Sequence, residues 1–464
     1  MTAPFADGAG GAEELLSGWG RTSPTRATVL RPTGLEQLVA RVTEPGERGV
    51  IARGLGRSYG DAAQNAGGTV LSSSNLGAVL DIDVDKGTVT VESGVSLDTL
   101  LRVLLPIGWI PMVIPGTSYV TVGGAIASDI HGKFRHGSFA DYVECMHLVT
   151  PDRGLITLEP GADANLFWAT SGGMGLTGVI ADATLKLHPV ETSHIVCDTE
   201  RTDDVDDCMA RMLDGDREYR YSVAWIDCLA SGGHLGRGVL TRGNHATLDD
   251  LSASRRATAR TYAPRAILGA PRWLPNGLLN SLTVRAFNEF WFRKAPSAVH
   301  RHVSGIKPFF FPLDSVQDWN RIYGSRGFVQ YQFVVPFGAE HVVRTALERF
   351  SAARTPTFLA VLKRFEHDSR SLIGFPMSGW TLALDIPTSP ALAPLLDGLD
   401  ELVVEAGGRV YLTKDARLRP ELLSAMYPRL DDWRESRAGL DRGNLLRSDM
   451  DRRLDLSGAG KKRL

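Results

Sequence analysis

Cysteine is scarce in this 464-residue chain, which contains four, and no two of them form a C-x-x-C pair. That scarcity argues against a structural zinc site or a redox dithiol, and a chain of this length needs no disulfides to be stable. An excess of basic charge is also missing, since 51 Lys and Arg stand against 53 Asp and Glu. We therefore expect no bound metal and no nucleic-acid partner.

The sequence also lacks the signals of export and of membrane insertion. The segment from Met1 to Gly20 contains no basic region followed by an apolar core, as a secretory signal requires. Residues 103–128 carry no charge but include Pro106, Pro111, Pro115 and the pair Gly123–Gly124, and a lone helix in lipid could not satisfy its backbone across so many breaks. We predict a protein of the cytoplasm, or one associated peripherally with the cell membrane.

Glycine, by contrast, is abundant at 49 residues. It is concentrated in three clusters of the N-terminal part of the chain, at 53–61, 115–138 and 166–180. The first cluster follows an apolar run at 50–52, so it forms a loop at a strand end, where successive backbone N–H groups can make a nest for phosphate. Because its spacing is not G-x-G-x-x-G, a Rossmann dinucleotide site is not predicted. Three such clusters in one region favour a ligand held close to the backbone.

Hydrophobic periodicity gives a coarse secondary structure. Residues 88–91 and 183–189 alternate as strands do, and Ser96 precedes leucines spaced i, i+3, i+4 and i+7 at 97–104, which predicts a capped amphipathic helix. Near residue 190 the glycine-rich loops give way to mixed strands and helices with more aromatic residues, and a further change follows at 407–408. We place domain boundaries at these two points.

The glycine clusters resemble those of the vanillyl-alcohol-oxidase-like, PCMH-type flavoproteins. The matching motifs are GLGRSYGD at 54–61, VGGAIA at 122–127, LFWAT at 166–170 and GLTG at 175–178, and the likeness extends from about Gly18 to Leu456. The resemblance implies an α+β, two-domain PCMH-type FAD-binding fold with an antiparallel-sheet substrate (cap) domain. Residues 1–192 would form the FAD-binding domain, 193–408 the substrate-binding domain, and 409–464 a segment that returns to the FAD domain.

Within this family, the motifs are most similar to those of members that oxidise C2 of a polyprenylphosphoryl-β-D-ribose. That implies an FAD cofactor, a lipid-linked sugar phosphate as substrate and possible contact with a membrane. A separate NAD(P)H-dependent keto-reductase would complete the epimerisation to the arabinose donor for cell-wall arabinan. The alternative is a sugar-alcohol or aldonolactone oxidase that acts on a soluble substrate, and a non-enzymatic flavin-binding protein is a third interpretation.

The resemblance also assigns the site residues. Those expected to bind the cofactor lie in the glycine clusters and near the C-terminus: Arg53, Gly54, Leu55, Gly56, Arg57, Ser58, Gly116, Thr117, Thr121, Gly124, Ala125, Gly132, Ile180 and Tyr411. Those expected to be catalytic are Lys414, Tyr59 and His131. Lys414 matches a lysine that faces N1 of the flavin and stabilises negative charge on the reduced ring; without the resemblance it could equally be a surface lysine at a strand end.

The residues expected to bind the substrate are Lys133, Gln330, Gln332, Lys363, Ala383 and Asp385. Gln330 and Gln332 are two residues apart, so both amides face the same side of a strand. That side either lines the substrate pocket or is exposed to solvent. Lys363 and Asp385 interrupt apolar strands, and because buried charge is costly they either pair with each other or line a polar pocket.

Two positions depart from the family pattern. Relatives that tether flavin covalently place a histidine before a Ser-aromatic pair, whereas this chain has Arg57 before Ser58-Tyr59, so we expect non-covalent FAD. Many relatives read Gly-Trp-x-x-Cys-x-Asp in a strand that lines the substrate pocket, but here the cysteine position is Ala383. In the family, that thiol is where nitroaromatic inhibitors become attached after the reduced flavin activates them.

The segment 254–294 is strongly basic and interleaved with aromatic residues. Its cations are Arg255, Arg256, Arg260, Arg265, Arg272, Arg285, Arg293 and Lys294, against a single acid, Glu289. Such a segment either meets a lipid phosphate or an anionic membrane surface, or presents a solvated basic face over aromatic residues that belong to the core. The sequence leaves both interpretations open.

Overall fold

The computed structural model describes residues 11–135, 137–263, 268–271 and 273–460. Its first sheet has the order β1-β2-β4-β3, in which β1 and β2 are antiparallel and the other pairs are parallel. The strands are β1 (Ala12–Leu16), β2 (Thr25–Leu30), β3 (Val50–Arg53) and β4 (Thr69–Ser72). Helix α1 (Leu35–Thr43) buries Leu38 and Val42 against this region.

The second sheet is antiparallel, with the order β5-β6-β10-β8-β9 and with β7 also paired to β10. Its strands are β5 (Val79–Asp83), β6 (Thr88–Glu92), β7 (Trp109–Pro111), β8 (Val143–Thr150), β9 (Gly154–Leu158) and β10 (Val179–Pro189). Helices α2 (Leu97–Leu104), α3 (Val122–Ala127) and α4 (Ala164–Thr170) accompany it. The Ser96 hydroxyl accepts a hydrogen bond from Thr99 N at 3.1 Å, and the α2 leucines are buried, which confirms the predicted capped helix.

A third, antiparallel sheet has the order β15-β11-β13-β12-β18-β19-β17-β20, and β14 pairs separately with β16. These strands are β11 (His194–Thr202), β12 (Tyr221–Ile226), β13 (Gly238–His245), β14 (Leu268–Gly269), β15 (His300–Gly305), β16 (Val316–Gln317), β17 (Phe328–Pro336), β18 (Ala360–Phe365), β19 (Gly379–Pro387) and β20 (Arg409–Val410). The helices of this region are α5 (Val205–Gly215), α6 (Ala253–Arg256), α7 (Ser281–Lys294), α8 (Ile306–Phe310), α9 (Glu340–Ala352) and α10 (Leu392–Glu405).

One face of the third sheet is apolar and packs on helices. On β17, Val329, Tyr331 and Phe333 join the same core cluster as residues of α5, α9 and α10. Because side chains alternate along a strand, Gln330 and Gln332 point to the opposite face, as predicted from their spacing. That opposite face is turned toward the three glycine clusters.

The last part of the chain returns to the first two sheets. After β20 come α11 (Leu423–Met426), α12 (Leu430–Ala438) and α13 (Asp449–Leu454). Trp433 Nε1 donates to Ala169 O of α4 at 2.9 Å, and Val50 N of β3 donates to Leu445 O at 2.8 Å. The connection from β10 to β11 contains the predicted boundary at 192, and the division into domains stays a prediction.

The architecture mixes helices with several mainly antiparallel sheets, so the predicted α+β class is confirmed. Within the described ranges, none of the helices combines the length and the apolar character needed to cross a bilayer. Two cations of the basic segment, Arg265 and Arg272, lie outside the described residues.

Candidate functional site

A cavity of about 1140 Å³ lies between the glycine-rich loops and the polar face of the third sheet. Pockets for single small ligands usually measure ~300–1,000 Å³, so this one has room for a dinucleotide and a second molecule. The structure brings nearly all the predicted site residues to its wall: Arg53, Gly54, Leu55, Gly56, Arg57, Ser58, Tyr59, Gly116, Thr117, Thr121, Gly124, His131, Gly132, Lys133, Ile180, Gln330, Gln332, Lys363, Ala383, Tyr411 and Lys414.

Two predicted residues do not reach that wall. Ala125 lies inside α3, fully buried in the core cluster beneath the second sheet, so its methyl group supports the loop rather than the cavity. Asp385 is fully buried on β19, where its Oδ1 accepts from Nε2 of Gln330, a residue of the cavity wall. Pairing with Lys363, one of the two alternatives that the sequence left open, does not form a hydrogen bond, because β18 and β19 set Lys363 opposite Thr381; Lys363 lines the cavity instead.

The loop after β3 is braced from within. The Arg53 guanidinium donates to Ala63 O at 3.0 Å and to Ser17 O, just after β1, at 2.7 Å, so its charge is committed to backbone carbonyls on both sides of the loop. Gly56 has φ of +64°, and a Cβ there would come within 2.5 Å of Arg53 Nη2. This left-handed backbone conformation under the folded arginine favours glycine.

Arg57 lies across the ring of Trp19, with Cζ 3.7 Å from the ring centroid. Burial lowers the pKa of its guanidinium, although Asp314 and other charges oppose that effect. Its Nε has no hydrogen-bond partner within the described part of the chain. A half-buried cation with a free donor beside the first glycine-rich loop suits an anionic ligand.

Asp314, which the sequence analysis missed, links the third-sheet region to the second glycine cluster. Its carboxylate accepts from Thr117 Oγ1 at 2.8 Å and from Ser118 N at 2.8 Å. Thr121 then caps α3 by accepting from Gly124 N at 3.2 Å. No sequence motif marks Asp314, because its partners belong to a distant part of the chain.

Glycines of the cavity wall make a cradle for a flat molecule. A Cβ at Gly132 would lie 1.9 Å from Ile114 O, and one at Gly54 would lie 2.3 Å from Thr121 Oγ1. A Cβ at Gly116, in contrast, would meet no protein atom within 4 Å. Tight backbone packing behind the wall and free space in front of it fit a cofactor that lies against the main chain, as FAD would.

Three lysines converge on the cavity. Lys133 Nζ donates to Phe309 O, and burial lowers the pKa of this lysine to about 8. Lys363 Nζ donates to Gly132 O at 3.2 Å, and burial together with the two other lysines lowers its pKa to about 7. Lys414 Nζ lies 4.1 Å from the ring centroid of Tyr59; burial lowers its pKa and the nearby Asp385 carboxylate opposes the shift. These cations make the wall attractive to anions.

His131 is buried and held by Gln332. The amide Nε2 of Gln332 lies 2.9 Å from His131 Nε2 and 3.1 Å from Thr381 Oγ1. With the amide donating, the imidazole accepts at Nε2 and carries its proton on Nδ1. Burial, with Lys363 and Lys414 nearby, holds the pKa of His131 well below its usual range. The ring is therefore neutral at physiological pH, and its Nδ1 has no partner within the described residues.

The two predicted tyrosines act differently in the wall. Tyr411 donates its hydroxyl to Ser128 O at 2.7 Å and stacks on Phe375 with ring centroids 4.6 Å apart, so it fixes the end of α3. Tyr59 packs edge-on against Phe328 at 5.5 Å, and burial raises the pKa of its hydroxyl well above the usual range. Both hydroxyls are thus neutral donors or acceptors rather than charged groups.

Ala383 lies on β19 opposite Gln332 of β17 and Val361 of β18. Its small side chain leaves space at the centre of the polar wall. Cys197 of β11 lines the same cavity. The sequence did not predict this, because Cys197 is far along the chain from Ala383. Burial raises the pKa of the Cys197 thiol to about 12, so it stays protonated and is a weak nucleophile.

Comparisons with known proteins agree with this geometry. Residues 26–159 match the family described as FAD binding domain. The chain is 43% identical to decaprenylphosphoryl-β-D-ribose oxidase of Mycolicibacterium smegmatis over 450 residues, which span 95% of this chain and 97% of that protein. An uncharacterised protein of Streptomyces coelicolor is 40% identical over 78% of this chain and its own whole length. A mitochondrial L-galactono-1,4-lactone dehydrogenase of Oryza sativa is 33% identical, but over 37% of this chain and 30% of its own.

Proposed function

The chain belongs to the decaprenylphosphoryl-β-D-ribose oxidase family, and from that membership we propose that it oxidises the 2′-hydroxyl of a polyprenylphosphoryl-β-D-ribose to the 2′-keto sugar with FAD. The observation that carries the proposal is the continuous cavity that joins the glycine cradle to a wall of lysines and glutamines. One part of the cavity suits a flat, phosphate-bearing cofactor, and the other suits a sugar phosphate.

In this proposal, the FAD pyrophosphate is bound by the backbone of the 53–58 loop and by the segment from Gly116 to Gly124, with Arg57 adding charge. When bound, FAD supplies the hydride acceptor for oxidation of the carbinol carbon. Lys414 places a half-buried positive charge at the polar wall of the cavity, where it stabilises the negative charge that reduction creates.

The sugar phosphate is proposed to lie against the third sheet. Lys133 and Lys363 attract the phosphate. Their pKa values are lowered by burial, and a bound anion would raise them again by stabilising the protonated ammonium groups. Gln332 offers its amide oxygen to a ribose hydroxyl, because its Nε2 is bound to His131 and Thr381. The space that the small side chain leaves at Ala383 accommodates the sugar ring between them.

The product of this reaction is a ketone, so a reductase must follow if the net change is inversion at C2. A separate NAD(P)H-dependent keto-reductase is the proposed partner, and together the two would make the arabinose donor for cell-wall arabinan. A lipid-linked substrate also places the protein at a membrane surface, as a peripheral protein of the cytoplasm or envelope.

Anaerobic flavin reduction across a panel of alcohols tests the proposal. A short-chain polyprenylphosphoryl ribose should bleach the flavin absorbance at micromolar concentration, whereas soluble polyols and aldonolactones should not. The partial match to a lactone dehydrogenase makes an aldonolactone or sugar-alcohol oxidase the alternative. Bleaching by a soluble sugar alone would favour that alternative, and no bleaching by any alcohol would favour a binding protein.

We predict that the FAD is not covalently attached. The residue in the position of the tethering histidine is Arg57, whose guanidinium is occupied with the Trp19 ring and is no nucleophile toward the flavin. Precipitation with acid should release all of the yellow cofactor into the supernatant. Flavin that remains with the pellet after washing in denaturant would contradict this prediction.

A second prediction concerns Ala383. A methyl group cannot form a sulfur adduct, so turnover with a nitroaromatic inhibitor should leave the mass of the wild-type protein unchanged, and inhibition should be reversible. Ala383→Cys should gain one stable adduct, because the position faces the cavity. Intact-protein mass spectrometry is the measurement.

The matched control uses the cysteine already present in the cavity. The double variant Ala383→Cys, Cys197→Ser should still gain the adduct, since the Cys197 thiol is held protonated. An adduct on the wild-type protein that Cys197→Ser abolishes would overturn the prediction.

A further inference from the structure

Helix α7 turns its apolar side chains outward. Of its fourteen residues, Val284 and Asn288 are the buried ones, while Leu282 is 76% exposed and Phe290 is 63% exposed. At ~100° per residue, Leu282 and Phe290 lie on the side of the helix opposite the buried pair. This is the reverse of an ordinary surface helix, whose apolar stripe faces the core.

The buried side of α7 is attached by polar contacts. Asn288 Nδ2 donates to Asp227 Oδ1 at 2.7 Å. Arg237 binds both Asp227 at 3.0 Å and Glu289 at 2.5 Å. This network of hydrogen bonds and ion pairs fixes the orientation of the helix. The apolar residues therefore point outward because the helix is held in that orientation.

The segment before α7 adds to this surface. Trp273 is 78% exposed and Leu278 is 43% exposed. Several large apolar side chains exposed within one short stretch of chain mark an interaction surface rather than ordinary scatter. We call Trp273, Leu278, Leu282 and Phe290 the α7 apolar set.

The charge around this set is positive. Arg285, Arg293 and Lys294 lie on α7 and Arg301 follows on β15, whereas the one acid of the helix, Glu289, is bound by Arg237 and Arg293. Apolar residues between cations are the pattern of a helix that lies in the headgroup layer of an anionic bilayer. In a symmetric contact with a second copy, the same cations would face one another and repel.

The cavity opens beside this helix. Phe287, Trp291 and Lys294 of α7 line the cavity and are also exposed to solvent. Phe287 and Trp291 stack with ring centroids 6.1 Å apart, which makes an aromatic rim. A lipid-linked ligand could thus keep its chain at the rim and place its headgroup inside.

We propose that α7 and the segment 273–278 form a docking surface for an anionic membrane, which brings the rim of the cavity to the lipid. This inference rests on the proposed function for the identity of the lipid ligand, but not for the membrane contact itself. The partner is a bilayer surface recognised by basic and aromatic side chains, and insertion is shallow, at the level of the headgroups.

Flotation of the full-length holoenzyme with vesicles tests the proposal. The protein should float with vesicles of phosphatidylcholine and phosphatidylglycerol, less with phosphatidylcholine alone, and less as salt is raised. The double variant Leu282→Glu, Phe290→Glu should bind about 10- to 100-fold more weakly. The control is Leu80→Glu, Leu213→Glu, two residues that are 53% and 47% exposed elsewhere, and it should bind as the wild type does.

The proposal would be overturned if the wild-type protein bound neither kind of vesicle, or if the control variant lost as much vesicle binding as the Leu282→Glu, Phe290→Glu variant. A second contradicting result would be a wild-type protein that binds no vesicles and sediments as a dimer, with the Leu282→Glu, Phe290→Glu variant sedimenting as a monomer. The α7 apolar set would then be an interface between two copies of the chain.

Activity separates this proposal from the proposed function. Leu282 and Phe290 do not line the cavity, so their double variant should oxidise a water-soluble short-chain polyprenylphosphoryl ribose at the wild-type rate and lose turnover only on a long-chain substrate in vesicles. If no ribose lipid is oxidised while vesicle binding holds, the function is wrong and the docking surface stands.

Discussion

Replacing Lys414 by alanine is expected to slow reduction of the bound flavin by about 10²-fold, the usual loss when one preorganised donor to developing charge is removed. Lys414 is enclosed at the polar wall of the cavity, and its pKa is lowered by burial while Asp385 opposes that effect. Removing it leaves the negative charge of the reduced state without its partner. The measurement is stopped-flow reduction under anaerobic conditions.

A second readout distinguishes this role from a structural one. The midpoint potential of the bound flavin should become more negative in Lys414→Ala and should be largely restored in Lys414→Arg, which keeps the charge. Flavin content and melting temperature should be compared in the same preparations. A wild-type reduction rate and potential in the alanine variant would show that Lys414 is only part of the wall.

Replacing Lys363 by methionine is expected to stabilise the apoprotein by about 2 kcal/mol in mildly acidic buffer, since an uncompensated enclosed cation is removed while the side-chain volume is kept. The same change should weaken substrate binding. The ammonium group is enclosed near two other lysines, and its pKa is lowered to about 7. Partial contact of Lys363 with solvent in the cavity keeps the gain below the full value that the pKa shift implies.

The gain should depend on pH with a defined sign. A folded-state pKa below the unfolded value of ~10.4 means that the wild-type protein is fully penalised below pH 7 and recovers as the pH rises toward 10. The advantage of Lys363→Met in denaturant unfolding should therefore shrink from pH 6 to pH 9.5. The exposed Lys186→Met is the control, with an expected change below ~0.5 kcal/mol. An advantage of Lys363→Met that grows with pH would contradict the argument.

The glycine-lined half of the cavity is predictable from sequence because its signals are local. A loop that must approach a ligand needs small residues in succession, and these are visible in the chain at 53–61 and 115–138. The helix at 97–104 is predictable for the same reason, since one capping serine and one leucine stripe define it. The physical causes of both features act between near neighbours in the chain.

The other half of the cavity depends on partners that are distant in sequence. The alternation at Gln330 and Gln332 showed a common face but not which face, and only the packing of Tyr331 and Phe333 on α9 and α10 decides it. Asp314 and Cys197 reach the site through strand pairing and loop contacts that no local pattern encodes. Lys363 and Asp385 both interrupt apolar strands, yet the register of β18 and β19 keeps them from bonding to each other.

The basic segment illustrates the same limit. Its composition allowed either a lipid-facing surface or a solvated face above core aromatics. The structure leaves Trp273 and Phe290 exposed and buries Asn288, because Asp227 and Arg237 offer polar partners on the inner side of α7. That choice was set by residues far earlier in the chain, in the connection between β12 and β13.

The return of the chain after β20 has a consequence for biogenesis. Thr413 O accepts from Tyr59 N at 3.0 Å, and Leu445 O accepts from Val50 N, so the first glycine-rich loop and the strand before it are closed by residues that are synthesised much later. A nascent chain that has not yet reached this segment lacks Lys414. We therefore expect FAD to be incorporated only after this closing segment has been synthesised, and a C-terminal deletion at residue 408 to yield colourless protein.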